Sequence, residues 1–314
     1  MVGRLAPSPT GAQHVGNART FLLAWLSARS QNGTLVFRLE DIDSPRVKPW
    51  AAQQALDDLR WLGLDWDFGP DVGGPHAPYV QTERREKYES ALERLKAAEL
   101  VYPCTCSRAD VEAAASAPHA GQEGPAYPGT CAHRSAADAA TLTGRPFSWR
   151  FRLRGTDSFV DVLRGPQTQS LEALGDFVIA KSDGAPAYQL AVVLDDEAMG
   201  VTEVVRGDDL LPSAFRQRAI ARVFGLESPS FAHVPLVIGP DGRRLAKRHG
   251  DTRISVLRER GVPAERLIGK LAHSAGLIDK ESPVAARDLI GYFAWSRVPR
   301  QPLTWTAADW ESLA

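Results

Sequence analysis

Two apolar runs flanking one helix, all within the first forty residues, constrain this chain more than any other feature. Val2 to Ala6 is short and apolar and stops at Pro7-Ser8-Pro9-Thr10-Gly11, a run that breaks regular structure. From Ala18 to Ser30 the residues Phe21, Leu22, Trp25 and Leu26 share one face of a 3.6-residue period, and Asn32-Gly33 supplies the stop. Thr34 to Leu39 is then rich in β-formers and ends at Glu40-Asp41-Ile42-Asp43. The order is strand, loop, helix, strand. A right-handed crossover makes the two strands parallel, which predicts a doubly wound α/β sheet of the Rossmann-like kind with ligands beyond the C-terminal strand ends. The loops Pro7 to Asn17 and Glu40 to Ser44 both fall at that edge.

Helical patterns continue from Trp50 to Leu62 and from Thr82 to Leu100, the latter with Tyr88, Ala91, Leu92, Leu95 and Ala98 as its buried stripe. Residues 103–146 change character: they are rich in Ala, Gly, Pro, Ser and Thr, show little periodicity and contain every cysteine. Phe147 to Leu153 alternates like a strand. Apolar runs at Ala187 to Leu194, Val201 to Val205 and His233 to Ile238, around a helical stretch from Ser213 to Phe224, read as the sheet's second half. Short helices are predicted at Ala264 to Ala275, Pro283 to Phe293 and Ala307 to Leu313. A length of 314 residues exceeds what one core usually organises. The predicted division is a catalytic domain in two halves, 1–95 and 186–242, an inserted domain at 96–185, and a loop with C-terminal helices at 243–314.

Composition narrows the function classes. No stretch approaches a membrane span and Met1 to Pro9 lacks a signal peptide's apolar core, so the expected location is cytoplasmic. With 37 Lys and Arg against 38 Asp and Glu, the net charge of −1 excludes a histone-like polycation and leaves room for a local basic face. Three cysteines between 104 and 131 do not make a disulfide framework; a metal site fits them better. A borderline-soft ion such as zinc wants four ligands, and Cys104, Cys106 and Cys131 leave one position, for which ligand chemistry alone favours His133 or His119.

His14-Val15-Gly16-Asn17 sits where the first loop becomes a helix. Backbone N–H groups and the helix dipole attract anions there, Gly16 permits close approach, and His14 can donate to a phosphate, although the same pattern also serves a helix cap with no ligand. Arg244-Leu245-Ala246-Lys247-Arg248 follows the turn Gly239-Pro240-Asp241-Gly242 and would otherwise read as a solvated basic loop. Together the two segments can close on a triphosphate from two sides.

These residues resemble a known family. Arg4-Leu5-Ala6-Pro7-Ser8-Pro9-Thr10-Gly11, His14 to Asn17, Arg38-Leu39-Glu40-Asp41 and Arg244 to Arg248 are similar to motifs of the class I aminoacyl-tRNA synthetases specific for glutamate. His14 to Asn17 corresponds to their HIGH signature, with Asn17 in place of the last His. Arg244 to Arg248 corresponds to their KMSKS loop, without its Met and both Ser but with the second Lys kept as Lys247. The resemblance implies ATP as substrate with Mg²⁺, contacted by His14, Gly16, Asn17 and Lys247, with His14 and Lys247 as the catalytic pair. It also implies a glutamate pocket. A substrate with two carboxylates and one ammonium needs a cation and an anion where water is scarce. Arg4 and Ser8 suit a carboxylate and Glu40 the ammonium, with Asp196 and Glu197 as competitors for that role. The family completes its pocket with a Tyr and an Arg, which match Tyr188 and Arg206.

Two features resemble one branch, the glutamyl-Q tRNA(Asp) synthetases. Cys104-Thr105-Cys106 with Tyr127-Pro128-Gly129-Thr130-Cys131 is similar to their zinc pattern, in which the Tyr is the fourth ligand, so the implied set is Cys104, Cys106, Tyr127 and Cys131 around one structural zinc. The stretch after Lys247 is also too short for helical anticodon-reading domains. The branch implies activation of L-glutamate with ATP and its transfer to queuosine in the anticodon of tRNA(Asp), with no membrane and no obligate protein partner. Two alternatives stay open: an enzyme charging the 3′ end of tRNA(Glu), and a non-catalytic paralogue that binds nucleotide or tRNA.

Overall fold

The computed structural model describes residues 1–42, 46–114, 126–243, 245 and 252–313. Strand β1 (Val2–Leu5), helix α1 (Val15–Ser30) and strand β2 (Thr34–Phe37) form the predicted unit, with β1 and β2 parallel in a register that sets Val2 opposite Thr34 and Leu5 opposite Phe37. α1 buries Val15, Ala18, Phe21, Leu22, Leu23, Trp25 and Leu26, more than one stripe, because it lies between the sheet and the C-terminal segment. The turn out of α1 requires glycine: a Cβ on Gly33 would stand 2.9 Å from Met1 O and 3.0 Å from Ala28 O.

Helix α2 (Ala51–Trp61) and a 3₁₀ turn at Gln81–Arg84 lead into helix α3 (Arg85–Ala97). The middle of the chain then runs through strand β3 (Val101–Cys104), helix α4 (Arg108–Ala114), a 3₁₀ turn at Ala136–Thr141, strands β4 (Ser148–Phe151), β5 (Thr156–Asp161) and β6 (Gly165–Ser170), helix α5 (Leu171–Leu174) and strand β7 (Phe177–Ala180). β3, β4 and β7 form an antiparallel sheet, while β5 and β6 form a separate hairpin. Helix α6 (Tyr188–Ala198) returns the chain to the parallel layer, where β8 (Glu203–Gly207), helix α7 (Leu211–Phe224) and β9 (Ser230–Val234) make a second parallel pair. β1 lies beside β8, and Thr202 N donates to Val2 O at 2.9 Å. The parallel strands thus stand in the order β2, β1, β8, β9, and the crevice between β1 and β8 is the switch point where such sheets bind ligands. The doubly wound α/β expectation holds.

Two expectations are corrected. Ala187 to Leu194 is helix α6 and not a strand. Its run is apolar because the helix is covered on nearly every side, with Gln189, Asp195 and Asp196 buried beside Leu190 to Val193, and a helix buried all round loses the periodicity that separates it from a strand. The C-terminal part is not wholly helical. Strand β10 (Val237–Ile238), helices α8 (Ile254–Glu259) and α9 (Ala264–Ser274), and 3₁₀ turns at Ala286–Tyr292 and Trp295–Arg297 precede strand β11 (Leu303–Thr304) and helix α10 (Ala307–Glu311). β11 pairs in parallel with β10, setting Leu303 opposite Val237. Among the described residues no helix is long and apolar enough to cross a membrane.

Candidate active site

The crevice between β1 and β8 gathers buried charge. Arg4 comes from β1, Arg38 and Glu40 follow β2, Tyr188 and Asp196 come from α6, and Arg206 from β8. Arg38, fully buried, donates from Nη2 to Glu40 Oε1 at 2.8 Å, and its Nη1 stands 2.8 Å from Asp196 Oδ1. Burial alone would weaken its charge, but Asp196, Glu40 and Asp195 outweigh that and hold Arg38 well above the ordinary arginine value. Glu40 moves upward because burial outweighs the pull of Arg38 and Arg4. Asp195 anchors the network from below, accepting from Arg84 Nε at 2.6 Å, Tyr88 Oη at 2.8 Å and Gln81 Nε2 at 3.0 Å. Of the two competitors for the ammonium role, Asp196 joins this network and Glu197 is exposed.

Two arginines here are buried with incomplete partners. Among the described residues Arg4 reaches Asp196 at 3.6 Å and Val205 O at 3.4 Å, and its Nε has no hydrogen bond. Arg206 donates from Nε to His233 Nε2 at 3.1 Å and from Nη1 to Gln217 Oε1 at 2.8 Å, both neutral groups, with Tyr188 and Asp196 near enough to act on its charge, while Nη2 closes no hydrogen bond among the described residues. Burial accordingly lowers its pKa. A buried guanidinium with neutral partners and an unused N–H is costly unless an anion completes it. Half-buried Tyr188 keeps its proton, since burial and the nearby Glu40 carboxylate raise its pKa, and so remains a donor. Ser8 is exposed on the loop after β1.

The segment expected to seat phosphate lies at the start of α1. His14 is the N-cap, and its backbone N–H donates to Asn17 Oδ1 at 3.3 Å, so that Asn17 carbonyl oxygen serves the helix end. The Val15 N–H is also occupied, donating to Thr252 O at 3.2 Å, and His14 Nδ1 lies 3.1 Å from Thr252 Oγ1. His14 and Arg253 form an antiparallel bridge. On the other side, Leu245 N donates to Val237 O, and a Cβ on Gly16 would sit 3.5 Å from Val237 Cβ. Thr252 is thus anchored at the first turn of α1 and Leu245 on Val237 of β10. Arg244, Lys247 and Arg248 lie outside the described residues.

The thiols converge. Ligand atoms of Cys104, Cys106 and Cys131 all lie within 4.8 Å of one another, and Tyr127 Oη stands 3.4 Å from Cys104 Sγ and 3.8 Å from Cys106 Sγ. Cys131 N donates to that same hydroxyl at 2.7 Å. His133 is exposed and outside the cluster, and His119 lies outside the described residues. The donor chemistry suits a borderline-soft cation. Burial pushes the Cys106 thiol up to about 11, while Cys131 is drawn down to about 7, the Thr105 N–H and the Tyr127 hydroxyl outweighing its burial. The Arg150 guanidinium lies 3.8 Å from the Tyr127 ring centre, a cation–π contact, while burial pushes the Tyr127 hydroxyl up and keeps it protonated.

Several of these residues carried no signal in the sequence. Arg38 had one, since Arg38 and Glu40 are two apart on an extended segment and face the same way. Arg84, Asp195, His233, Gln217 and Thr252 had none.

Comparison with known proteins agrees with the geometry. The family model for tRNA synthetases class I (E and Q), catalytic domain, matches residues 1–304. The glutamyl-Q tRNA(Asp) synthetase of Symbiobacterium thermophilum is 52% identical over 307 residues, covering 96% of this chain and 95% of the relative. That of Rhodopirellula baltica is 51% identical over 322 residues, with the same coverage of 96% and 95%. The crystal structure of glutamate-tRNA synthetase from Elizabethkingia anophelis superposes with a TM-score of 0.84 at 28% identity, covering 98% of this chain and 68% of that one. A doubly wound sheet with paired arginines at its switch point, matched over nearly its whole length by such relatives, makes this chain a member of the class I tRNA synthetases of the E and Q type, in their glutamyl-Q tRNA(Asp) synthetase branch.

Proposed function

We propose that this ligase activates L-glutamate with ATP to glutamyl-adenylate and transfers the glutamyl group to queuosine in the anticodon of tRNA(Asp). The observation that carries the first half is the pair of buried, incompletely partnered arginines, Arg4 and Arg206, facing Glu40 and Asp196 across one crevice. The names of relatives that match end to end support the second half. In this reading Arg206 and Tyr188 take the side-chain carboxylate, Arg4 steadies the α-carboxylate with Ser8 at the pocket mouth, and Glu40 with Asp196 accepts from the ammonium.

The chemistry has two steps. An oxygen of the glutamate α-carboxylate attacks the ATP α-phosphorus in line, and the bond to pyrophosphate breaks. His14 and Lys247 stabilise the charge that develops on the phosphates, with Gly16 and Asn17 shaping the seat at the helix start. A hydroxyl of the queuosine cyclopentenediol then attacks the adenylate carbonyl, its proton is lost and AMP leaves, giving an ester. Mg²⁺ would screen the triphosphate when bound. Zinc held by Cys104, Cys106, Tyr127 and Cys131 would be structural, remote in role from the crevice. The reading implies a cytoplasmic enzyme that needs no protein partner.

The test is charging with labelled glutamate of purified tRNA(Asp) with and without queuosine, beside tRNA(Glu). Label should enter only the queuosine-bearing tRNA(Asp). Label at the 3′ end of tRNA(Glu) would establish the alternative charging activity, and no adenylate formation at all would leave a nucleotide-binding paralogue.

A further inference from the structure

Arg206 owes its orientation to two residues outside every motif. Asp161 ends β5 in the hairpin, His233 lies on β9, and neither side chain has any solvent exposure. His233 Nδ1 is 2.6 Å from Asp161 Oδ2, and His233 Nε2 is 3.1 Å from Arg206 Nε. An arginine Nε only donates. His233 Nε2 must therefore accept, and the ring proton sits on Nδ1, donated to Asp161.

The surroundings fix this arrangement. Asp161 Oδ1 accepts from Leu163 N at 3.0 Å and Arg164 N at 2.8 Å, and His233 N adds longer contacts to both oxygens at 3.3 and 3.2 Å. Burial opposes the Asp161 charge, but these hydrogen bonds and that of the His233 ring outweigh it and hold the carboxylate low. Burial also keeps the His233 ring neutral against the pull of Asp161. With Nε on His233, Nη1 on Gln217 and the Phe231 ring 5.2 Å away, the Arg206 plane is set, and Nη2, on the side of Tyr188, closes no hydrogen bond among the described residues. A buried histidine that served packing alone would need neither a carboxylate brought from the hairpin nor an arginine on its other nitrogen.

We propose that Asp161 and His233 are positioning residues that set the imidazole tautomer and thereby aim Arg206 at the side-chain carboxylate of glutamate, favouring it over the uncharged amide. The inference rests on the reading of Arg206 as the carboxylate partner. Asp161→Asn is its sharpest test. The backbone donors to Oδ1 hold the carbonyl oxygen in place, so the amide N–H₂ faces Nδ1, moves the ring proton to Nε2 and sets it against the Arg206 Nε–H, as happens when a triad aspartate becomes asparagine.

Glutamate-dependent exchange of pyrophosphate into ATP would be measured for wild type, D161N, H233L, H233Q and R206A, with KM for glutamate and for ATP and the preference for glutamate over glutamine. D161N and H233L should each raise the glutamate KM about tenfold or more and erode the preference, with ATP KM within about twofold, the scale for one hydrogen bond to a charged group. H233Q, which keeps one donor and one acceptor, should recover most of the loss. In an R206A background D161N should add nothing. If H233L does not fold, D161N, which keeps the shape, decides. A folded D161N with wild-type glutamate KM, a parallel rise in both KM values, or an undiminished effect in R206A overturns the relay. An unchanged glutamate KM in R206A itself overturns the pocket reading and the relay with it.

Discussion

Arg4 and Asp58 are both buried charges, yet their surroundings give them opposite consequences. Arg4 has a weak partner in Asp196 and an Nε without a hydrogen bond, so its removal breaks no strong internal bond and, in the proposed reading, takes one cation away from a small anionic ligand. Arg4→Ala should raise the glutamate KM by about 10-fold to 100-fold while leaving the ATP KM nearly unchanged, read from pyrophosphate exchange. Equal losses for both substrates would mean a damaged fold instead of an emptied pocket. Asp58 on α2 has no exposure, no hydrogen bond to either oxygen, and Arg258 no closer than 3.4 Å. Burial lifts its pKa to about 7, more than Arg258 offsets, with Asp57 and Glu259 adding to the rise. A carboxyl whose folded pKa lies above its unfolded value binds more protons in the folded state, so stability falls as pH rises from the ordinary carboxylate range to about 7. Asp58→Asn cannot ionise. Its melting temperature should exceed that of wild type by a margin that grows between about pH 4 and 7 and reaches at least about 2 °C above that, the shift about 1 kcal/mol makes in a chain of this size. A margin independent of pH, followed by circular dichroism, would rule this out.

At the scale of elements, the segment from β3 to β4 has a small core of its own, made of Tyr102, Cys104, Tyr127 and Cys131. A four-ligand site would supply much of its folding free energy, an apparent ~10–16 kcal/mol in small zinc peptides. Cys106→Ser should lose the metal by elemental analysis and impair tRNA charging more than tRNA-independent glutamate activation, because the crevice is built from other strands. Tyr127→Phe should bind zinc more weakly while His133→Ala keeps it. The reverse result would make the fourth ligand a histidine. How legible each element was depends on its surroundings. α1 and its flanking strands were readable because turn residues bracket two different periodicities. α6 was not, since burial on nearly every side erases the polar face that marks a helix. β10 and β11 have two residues each, too few for any alternation. The cysteines were readable because they are scarce and closely spaced, and the parts of the site at sheet ends could be placed once the strands were ordered. Asp161 and His233 were invisible: they are 72 residues apart, and only the packing of the hairpin on β9, where Val162 N donates to Phe231 O at 2.8 Å, brings them together.

For the whole molecule, the proposed reaction divides its substrates between two dielectric environments. In that reading glutamate enters the crevice where Arg206 and Arg4 are 4 and 6% exposed, whereas an RNA must be met on the outer surface of a chain with net charge −1. Dissolved ions screen surface charges within about 10 Å at 0.1 M but scarcely reach buried ones. RNA binding, in contrast, releases condensed counterions and weakens steeply with each added salt increment. Raising KCl from about 50 to 300 mM should therefore leave the glutamate KM of pyrophosphate exchange within about twofold while the tRNA KM of charging rises more than tenfold. Parallel changes in the two constants would show that the crevice is open to solvent during catalysis. In the proposed reading the burial of Arg4 and Arg206 would thus separate the two affinities in the cell: a rise in ionic content would weaken the capture of RNA well before it weakened the hold on glutamate.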